Sequence, residues 1–486
     1  MSVFKYLFKQ TFIYGLATVL PRALSIVLVP LYVIVLGKEQ YGVYASLMAF
    51  LILGNVVLSY GMETAFFRFI NKEKSQKKIV QSTALSSLTI STLIFLILTL
   101  IFSQSISSVL EFKKEFIVYG IIILSLDALA VLPFVWYRAN NKPMRYATIK
   151  IINVCVNLGF NLFFFLLLPE LINGNTDSIW NSMYLTEDQV SYVFIANIIA
   201  SGITLILLSP LYLKIGFGID RRIWKQMMKY AFPVLIAGIA FSINEAFDKI
   251  LLKYLLPESI AEAEVGVYAA CYKLGVFLTL FATAFRLGIE PFFFNHSKHK
   301  DAKENYATIT KYFTILGSII LLFVVVYIDI FKRILIPESS FWEALIIVPV
   351  ILLANLCLGI YHNLSVWYKV TDRTRFGALI SSIGACITLS LNFLLIPWIS
   401  YKGSAIATLA AYGSMMVISY LLGRKYYAVP YDLKKIGTYL LLSVVFSVFS
   451  FYVFDGDLWI GTAFLILFMG LVYQIEKKEL KLILKR

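Results

Sequence analysis

Basic residues interrupt several long apolar stretches of this chain. Arg22, Lys150, Lys273 and Arg286 all lie inside such stretches. A charge in the hydrocarbon region of a membrane costs several kcal/mol, so each of these residues is a functional hypothesis. Guanidinium and ammonium groups bind phosphate and pyrophosphate oxygens through charged hydrogen bonds. The four cations therefore predict a cavity for a phosphorylated substrate. For Arg22, the alternative is an internal ion pair that fixes packing.

Lys150 also begins a polar face on its own apolar stretch. Asn153, Asn157 and Asn161 continue this face at helical spacing. Such a face turns away from lipid, toward a wet cavity or a neighbouring helix. We therefore expect Asn157 and Asn161 to join the cations in binding substrate. Lys150 lies near the end of its stretch, so snorkelling to the membrane surface is the alternative.

Acidic residues in or beside the apolar stretches are candidates for ion coupling or for buried pairing. They are Asp127, Glu63, Glu290 and Asp248. Asp127 is the most isolated of the four. It is either a proton or cation site or the buried partner of Arg22. Glu290 follows Arg286 by one helical turn, and this spacing favours mutual neutralisation.

The seventh apolar stretch carries both signs of charge. Glu245 is spaced to pair with Lys249, and Asp248 is close enough in sequence to pair with Lys253. These expected pairs compete with a functional role for Asp248.

The sequence predicts no catalytic residues, no metal site and no cofactor. His296 and His299 have no carboxylate or cysteine companions at ligand spacing. A Walker or glycine-rich nucleotide motif is missing from the sequence. The longest polar loop, about 169–189, carries no histidine, lysine or arginine. An enzyme is therefore not expected.

Membrane-spanning helices must position these residues. The chain is 60% hydrophobic and 15% charged. Its apolar runs of about 20 residues can cross a bilayer, and only helices satisfy their own backbone groups there. We predict an all-α polytopic membrane protein with about fourteen transmembrane helices. The spans lie at about 12–36, 41–63, 79–103, 115–137, 146–168, 190–213, 229–252, 265–287, 306–328, 342–366, 376–396, 403–422, 436–454 and 457–474.

Lysine and arginine are distributed unevenly between the loops. Alternate loops, counted from the N-terminus, carry roughly four times as many as the others, which predicts that both termini are cytoplasmic. The net charge of +15 therefore reflects topology and contact with anionic lipid rather than nucleic-acid binding. Residues 223–229 are expected to form an amphipathic elbow that leads into the seventh span.

The sequence contains an internal duplication. Gly42-Val43-Tyr44-Ala45 recurs as Gly266-Val267-Tyr268-Ala269, and Trp136-Tyr137-Arg138 as Trp367-Tyr368-Lys369. The second offset also places Asn161 on Asn392. We therefore predict two parallel six-helix lobes, 1–222 and 223–430. Two additional helices and a cytoplasmic tail occupy 431–486. Such repeats place a binding site near the midplane and alternate its access.

Short motifs along nearly the whole chain resemble those of bacterial polysaccharide and oligosaccharide flippases of the lipid-linked O-antigen type. This family belongs to the multidrug/oligosaccharidyl-lipid/polysaccharide exporter superfamily. The motifs are Leu20-Pro21-Arg22, Tyr41-Gly42-Val43-Tyr44-Ala45, Asp248-Lys249, Gly266-Val267-Tyr268, Leu395-Ile396-Pro397 and Gly403-Ser404-Ala405-Ile406-Ala407-Thr408. The resemblance implies two lobes around a cationic cavity, with Arg22 as the basic residue of the first span.

The resemblance also implies the substrate and the location. The substrate would be a polyprenyl-pyrophosphate-linked oligosaccharide, flipped to the outer leaflet of the bacterial cytoplasmic (inner) membrane. It would serve the synthesis of lipopolysaccharide or another surface polysaccharide. The expected protein is a monomer that works beside polymerase and assembly proteins. The alternatives are an ion-coupled multidrug antiporter of the same superfamily and a membrane polysaccharide polymerase.

Overall fold

The computed structural model describes residues 3–72, 76–140, 142–172, 188–296 and 299–484. It describes side chains from residue 26 onward, except those of 71–72, 290–291, 294–296, 478 and 480–484. All regular structure in these ranges is helical. The described part contains 13 helices that are long and apolar enough to span a membrane. The predicted all-α polytopic membrane fold is therefore confirmed.

The difference between 13 candidate spans and about fourteen predicted ones arises at Gly37. The first candidate span, Ile26–Ser59, contains this glycine, whose φ of +67° breaks the helix. A positive φ costs little at glycine because the residue has no Cβ. The break falls between the predicted spans 12–36 and 41–63. One candidate span in the count therefore covers parts of two predicted spans.

Packing divides the chain into two compact units, residues 1–266 and 267–486. The helices of the first unit are α1 (Val3–Ser59), α2 (Met62–Lys72), α3 (Lys77–Ile101), α4 (Ser103–Leu110), α5 (Lys114–Ala139), α6 (Pro143–Leu162), α7 (Leu168–Ile172), α8 (Val190–Ile215), α9 (Arg221–Leu255) and the start of α10 (Glu258–Tyr272). Its core includes buried Met62, Phe66, Leu85 and Trp136. The lobe boundaries predicted from the duplication remain a prediction.

The second unit contains the remaining helices. They are α11 (Val276–His296), α12 (Ala302–Val326), α13 (Ile328–Leu335), α14 (Val348–Leu364), α15 (Val366–Val370), α16 (Arg375–Ile399), α17 (Tyr401–Tyr426), α18 (Leu433–Val448) and α19 (Leu458–Leu484). A short 3₁₀ segment, Lys273–Gly275, separates α10 from α11. The last two long helices, α18 and α19, pack on α12 around Tyr439, Phe468 and Leu322.

Two glycines that the duplication equates lie against each other where α1 meets α10. A Cβ on Gly42 would lie 1.8 Å from the carbonyl oxygen of Glu262. A Cβ on Gly266 would lie 2.0 Å from the carbonyl oxygen of Lys38. Lys38 and Gly42 precede Glu262 and Gly266 by the same offset, so the contact is reciprocal. Small residues permit such close helix approach inside membranes.

We expect Gly42→Ala to destabilise the protein by about 1–3 kcal/mol, because the added methyl group overlaps backbone atoms that cannot rotate away. Gly159→Ala is the matched control, since a Cβ there meets no atom within 4 Å. The control should be neutral or stabilising by up to about 1 kcal/mol. Thermal unfolding in detergent measures both variants. Equal melting temperatures for them would contradict the close contact.

A buried ionic network joins α19 to α12 and α18. Glu476 on α19 is fully buried. Its carboxylate lies 2.7 Å from the Lys311 ammonium, 3.0 Å from that of Lys435 and 2.6 Å from the Tyr439 hydroxyl. Glu479 contacts both lysines, and the hydrogen bond from Lys311 lowers the pKa of its carboxyl group. The two C-terminal spans are therefore held by two acids and two bases.

Glu476→Gln should destabilise the protein by about 3–5 kcal/mol, because it leaves a surplus of buried positive charge. Asp329→Asn serves as the control, since the Asp329 side chain is about half exposed and its pair with Lys332 is expected to contribute little. Thermal unfolding of both variants in the same detergent provides the comparison. A Glu476→Gln protein that melts with the wild type would show that the network is not needed to dock α19.

Candidate functional site

The first unit gathers polar side chains between α5, α6 and α8. Asp127 on α5 accepts a hydrogen bond of 2.8 Å from the Ser201 hydroxyl on α8. Asn55 on α1 also hydrogen-bonds to this carboxylate, and the Lys150 ammonium on α6 interacts with it electrostatically. The acid that looked most isolated in the sequence is therefore hydrogen-bonded, and it interacts electrostatically with a cation that sequence analysis assigned to substrate.

Lys150 is partly buried within the first unit. Its ammonium lies 4.3 Å from the ring centroid of Phe134 and interacts electrostatically with both Asp127 and Glu63. A cation over an aromatic face is stabilised by the ring quadrupole. Arg22, the other predicted partner of Asp127, lies outside the residues whose side chains are described.

The asparagine face of α6 is engaged inside the first unit. Pro143 begins this helix at a position where its missing N–H costs nothing. Asn153 then donates to the Thr204 hydroxyl at 2.9 Å. Asn161 is completely buried. It donates to the Asn157 carbonyl at 2.7 Å and accepts from the Tyr32 hydroxyl at 2.8 Å. In this conformation Asn161 ties α6 to α1.

The equivalent asparagine of the second unit makes the same bonds. Asn392 on α16 donates to the Thr388 carbonyl at 2.7 Å and accepts from the Ser404 hydroxyl at 2.8 Å. Each asparagine therefore bonds to the carbonyl one turn earlier and accepts a hydroxyl proton from a neighbouring helix. The bond to the carbonyl is common to both asparagines, whereas the hydroxyl donors, Tyr32 and Ser404, are not related by the duplication.

A second cationic cluster lies in the second unit. Arg286 on α11, His362 on α14 and Lys369 on α15 line one cavity of about 10 Å³, together with Asn363 and Ser365. That volume is near the minimum for a single water molecule, so the cavity has no room for a phosphate group. Sequence analysis identified Arg286 but missed His362 and Lys369. The duplication could have pointed to Lys369, because it aligns this residue with the basic residue Arg138.

The remaining candidates are dispersed. Glu63 lies 3.1 Å from Arg138, and both side chains are about half exposed. Lys273 begins the 3₁₀ segment between α10 and α11. The side chain of Glu290 is outside the described residues, so its predicted pairing with Arg286 stays a prediction.

The ion pairs of α9 differ from those expected. Asp248 pairs with Lys249, its neighbour in sequence, at 3.0 Å. Lys253 instead lies 3.7 Å from Glu262 and donates to the carbonyl of Glu111. The expected pairs, Glu245 with Lys249 and Asp248 with Lys253, were therefore wrong. Helical spacing alone could not show that residues of other helices lie closer.

Comparison with known proteins identifies the family. The family model described as "Polysaccharide biosynthesis protein" matches residues 7–296. The chain belongs to the polysaccharide biosynthesis protein family. A search of curated protein sequences gives no match. The family predicted from the sequence motifs is thus confirmed.

Solved structures show that this member of the polysaccharide biosynthesis family has the fold of MOP-superfamily transporters. One is the lipid II flippase MurJ in an inward closed conformation, with a TM-score of 0.67, 16% identity, and coverage of 95% of this chain and 99% of that one. Another is an outward-facing multidrug resistance MATE family transporter, with a TM-score of 0.62, 13% identity, and coverage of 89% and 96%. A third is a MOP superfamily transporter from Pyrococcus furiosus, with a TM-score of 0.59, 14% identity, and coverage of 86% of this chain and 95% of that one.

If Asp127 and Lys150 act as a pair, their substitutions will not be additive. Asp127→Asn and Lys150→Met should each destabilise the protein, because each leaves the other charge poorly compensated. The double variant should recover about 1–3 kcal/mol of the summed loss. A double-mutant cycle of thermal unfolding in detergent measures this coupling. Additive effects would indicate that Asp127 is held independently of Lys150, as an ion site would be.

Proposed function

We propose that this protein carries a polyprenyl-pyrophosphate-linked oligosaccharide from the inner to the outer leaflet of the bacterial cytoplasmic membrane. The observation that carries the proposal is the combination of a polysaccharide biosynthesis family match with a MOP-transporter fold. Surface polysaccharide, lipopolysaccharide among them, is built from such lipid-linked units. The solved flippase of this fold, MurJ, is named for lipid II.

The charges within the spans support a phosphorylated substrate. These charges include Lys150, Lys273 and Arg286. Together with Arg22, they would bind the pyrophosphate, while Asn157 and other uncharged polar groups contact sugar hydroxyls. The prenyl chain would remain in lipid, where it costs nothing to solvate. Asn161 would act by holding α6 in place, since its amide is already bonded.

Alternating access would move the substrate, with Asp127, Glu63, Glu290 and Asp248 as candidates for ion coupling. Asp127 is the most favoured of these because protonation of its carboxylate would release Lys150, which would then be free to bind an anion. Energy would come from an ion or voltage gradient, or from consumption of the product outside. In this proposal both termini are cytoplasmic, the lobes are 1–222 and 223–430, and residues 431–486 add two helices.

A multidrug antiporter is the second candidate, because structures of MATE transporters share the fold. That branch of the superfamily usually has an acid in its first span, where this chain has Arg22. A cation at this place would repel the cationic compounds that such antiporters export. The charge therefore favours the lipid-linked anionic substrate.

Reconstituted liposomes that carry a fluorescent polyprenyl-pyrophosphate oligosaccharide test the proposal. An external quencher reports arrival of the lipid in the outer leaflet. We expect Arg22→Ala and Arg286→Ala to slow translocation at least about ten-fold, the usual effect of losing a charged hydrogen bond. Lys332→Ala is the control, since this lysine pairs with Asp329 near the surface of the protein.

Several outcomes would contradict the proposal. Wild-type protein that leaves the lipid in place, while it exports a cationic dye along an ion gradient, would establish the antiporter. Variants that move the lipid as fast as the wild type would show that Arg22 and Arg286 are structural. Melting temperatures of all variants distinguish loss of transport from loss of folding.

A further inference from the structure

The first unit carries a large groove that the transport proposal does not use. It has a volume of about 660 Å³ and is lined by the turn before α2, by α3 and by the start of α9. Arg221 and Lys225 lie at its α9 side, and Ile90, Ile94 and Met228 provide apolar walls. We propose that this groove binds an anionic glycerophospholipid, with its phosphate at Arg221 and Lys225 and an acyl chain along the isoleucines.

Hydrogen bonds hold the α9 side of the groove in place. The turn before α9 is fastened to α3 by two bonds, from the Gly218 amide to the Ser86 hydroxyl at 2.9 Å and from the Asp220 amide to the Thr83 hydroxyl at 3.0 Å. Asp220 then caps α9 by accepting from the Ile223 amide. The position of Arg221 and Lys225 over the apolar wall is therefore set by backbone contacts.

The start of α9 has the pattern of a membrane-surface helix. Ile223 and Met227 are buried against the unit, whereas Arg221, Lys225 and two further cations are exposed. Those two cations, Arg222 and Lys229, do not line the groove. Basic residues at the bilayer surface attract anionic headgroups, and the charge bias of the loops predicts that this end faces the anionic cytoplasmic leaflet.

A hydroxyl cluster inside the groove favours a glycerolipid over a plain isoprenoid. The Trp224 indole N–H donates to the Ser87 hydroxyl at 2.9 Å, and the Ser87 and Tyr60 hydroxyls share one bond of 2.9 Å. These three groups have three donor protons and use two of them in the two bonds. The Ser91 hydroxyl lies 3.5 Å from that of Tyr60, beyond the usual length of an O–H···O bond, so an acceptor on a ligand can compete for the third proton. Glycerophospholipids have ester carbonyls below the phosphate, and a prenyl chain has no such acceptor.

Lipid binding to the purified full-length protein tests the proposal independently of transport. Native mass spectrometry compares phosphatidylglycerol with phosphatidylcholine of the same acyl chains. We expect about a thirty-fold preference for phosphatidylglycerol from two basic residues. The double variant Arg221→Gln/Lys225→Gln should lose this preference. The variant Arg222→Gln/Lys229→Gln, with the same change of charge on the same helix, should retain it.

A second comparison identifies the class of lipid. Tyr60→Phe keeps the ring but removes the hydroxyl, so it should weaken phosphatidylglycerol binding several-fold. Binding of polyprenyl phosphate should not change, because this lipid has no ester. Equal binding of phosphatidylglycerol and phosphatidylcholine by the wild type would overturn the proposal. It would also be overturned by polyprenyl phosphate that outcompetes phosphatidylglycerol through Arg221 and Lys225, because the groove would then hold substrate.

Discussion

Hydrocarbon offers no partner to a polar group, and this constraint organises the whole molecule. It makes every described span helical, and it requires each buried charge to find a counterpart within the protein. The network around Glu476 and the hydrogen bond from Ser201 to Asp127 are two results of the same requirement. The first docks a helix. The second holds an acid that also interacts electrostatically with Lys150.

Some residues that recur in the duplication also make similar contacts in the structure. Gly42 lies against the backbone carbonyl of Glu262, and Gly266 lies against that of Lys38. A Cβ at either glycine would overlap these atoms. Asn161 and Asn392 bond in the same way within their own units. These pairs hold helices together. The basic residue after the Trp-Tyr pair is also shared, since Arg138 matches Lys369, whereas a cation inside the apolar stretches such as Lys150 has no basic counterpart and falls on Ser381.

Sequence reasoning predicted the helical membrane fold and the polysaccharide biosynthesis family, because apolar runs and short motifs are local signals. It could not predict which helices meet. Closeness in sequence paired Asp248 with Lys253, but Lys249 lies closer to Asp248, and Glu262 from another helix contacts Lys253. His362 was missed because a lone histidine in an apolar run gives no signal until its neighbours Arg286 and Lys369 are placed beside it.

The central claim is that cations within the spans recognise the phosphate charge of the transported lipid. The most direct measurement compares two lipids in the same liposomes, with the same oligosaccharide and the same prenyl chain. One has the pyrophosphate link, and the other has an uncharged link. The account predicts that only the pyrophosphate lipid crosses to the outer leaflet. Equal rates for the two lipids would contradict it, because the sugar or the chain would then determine recognition.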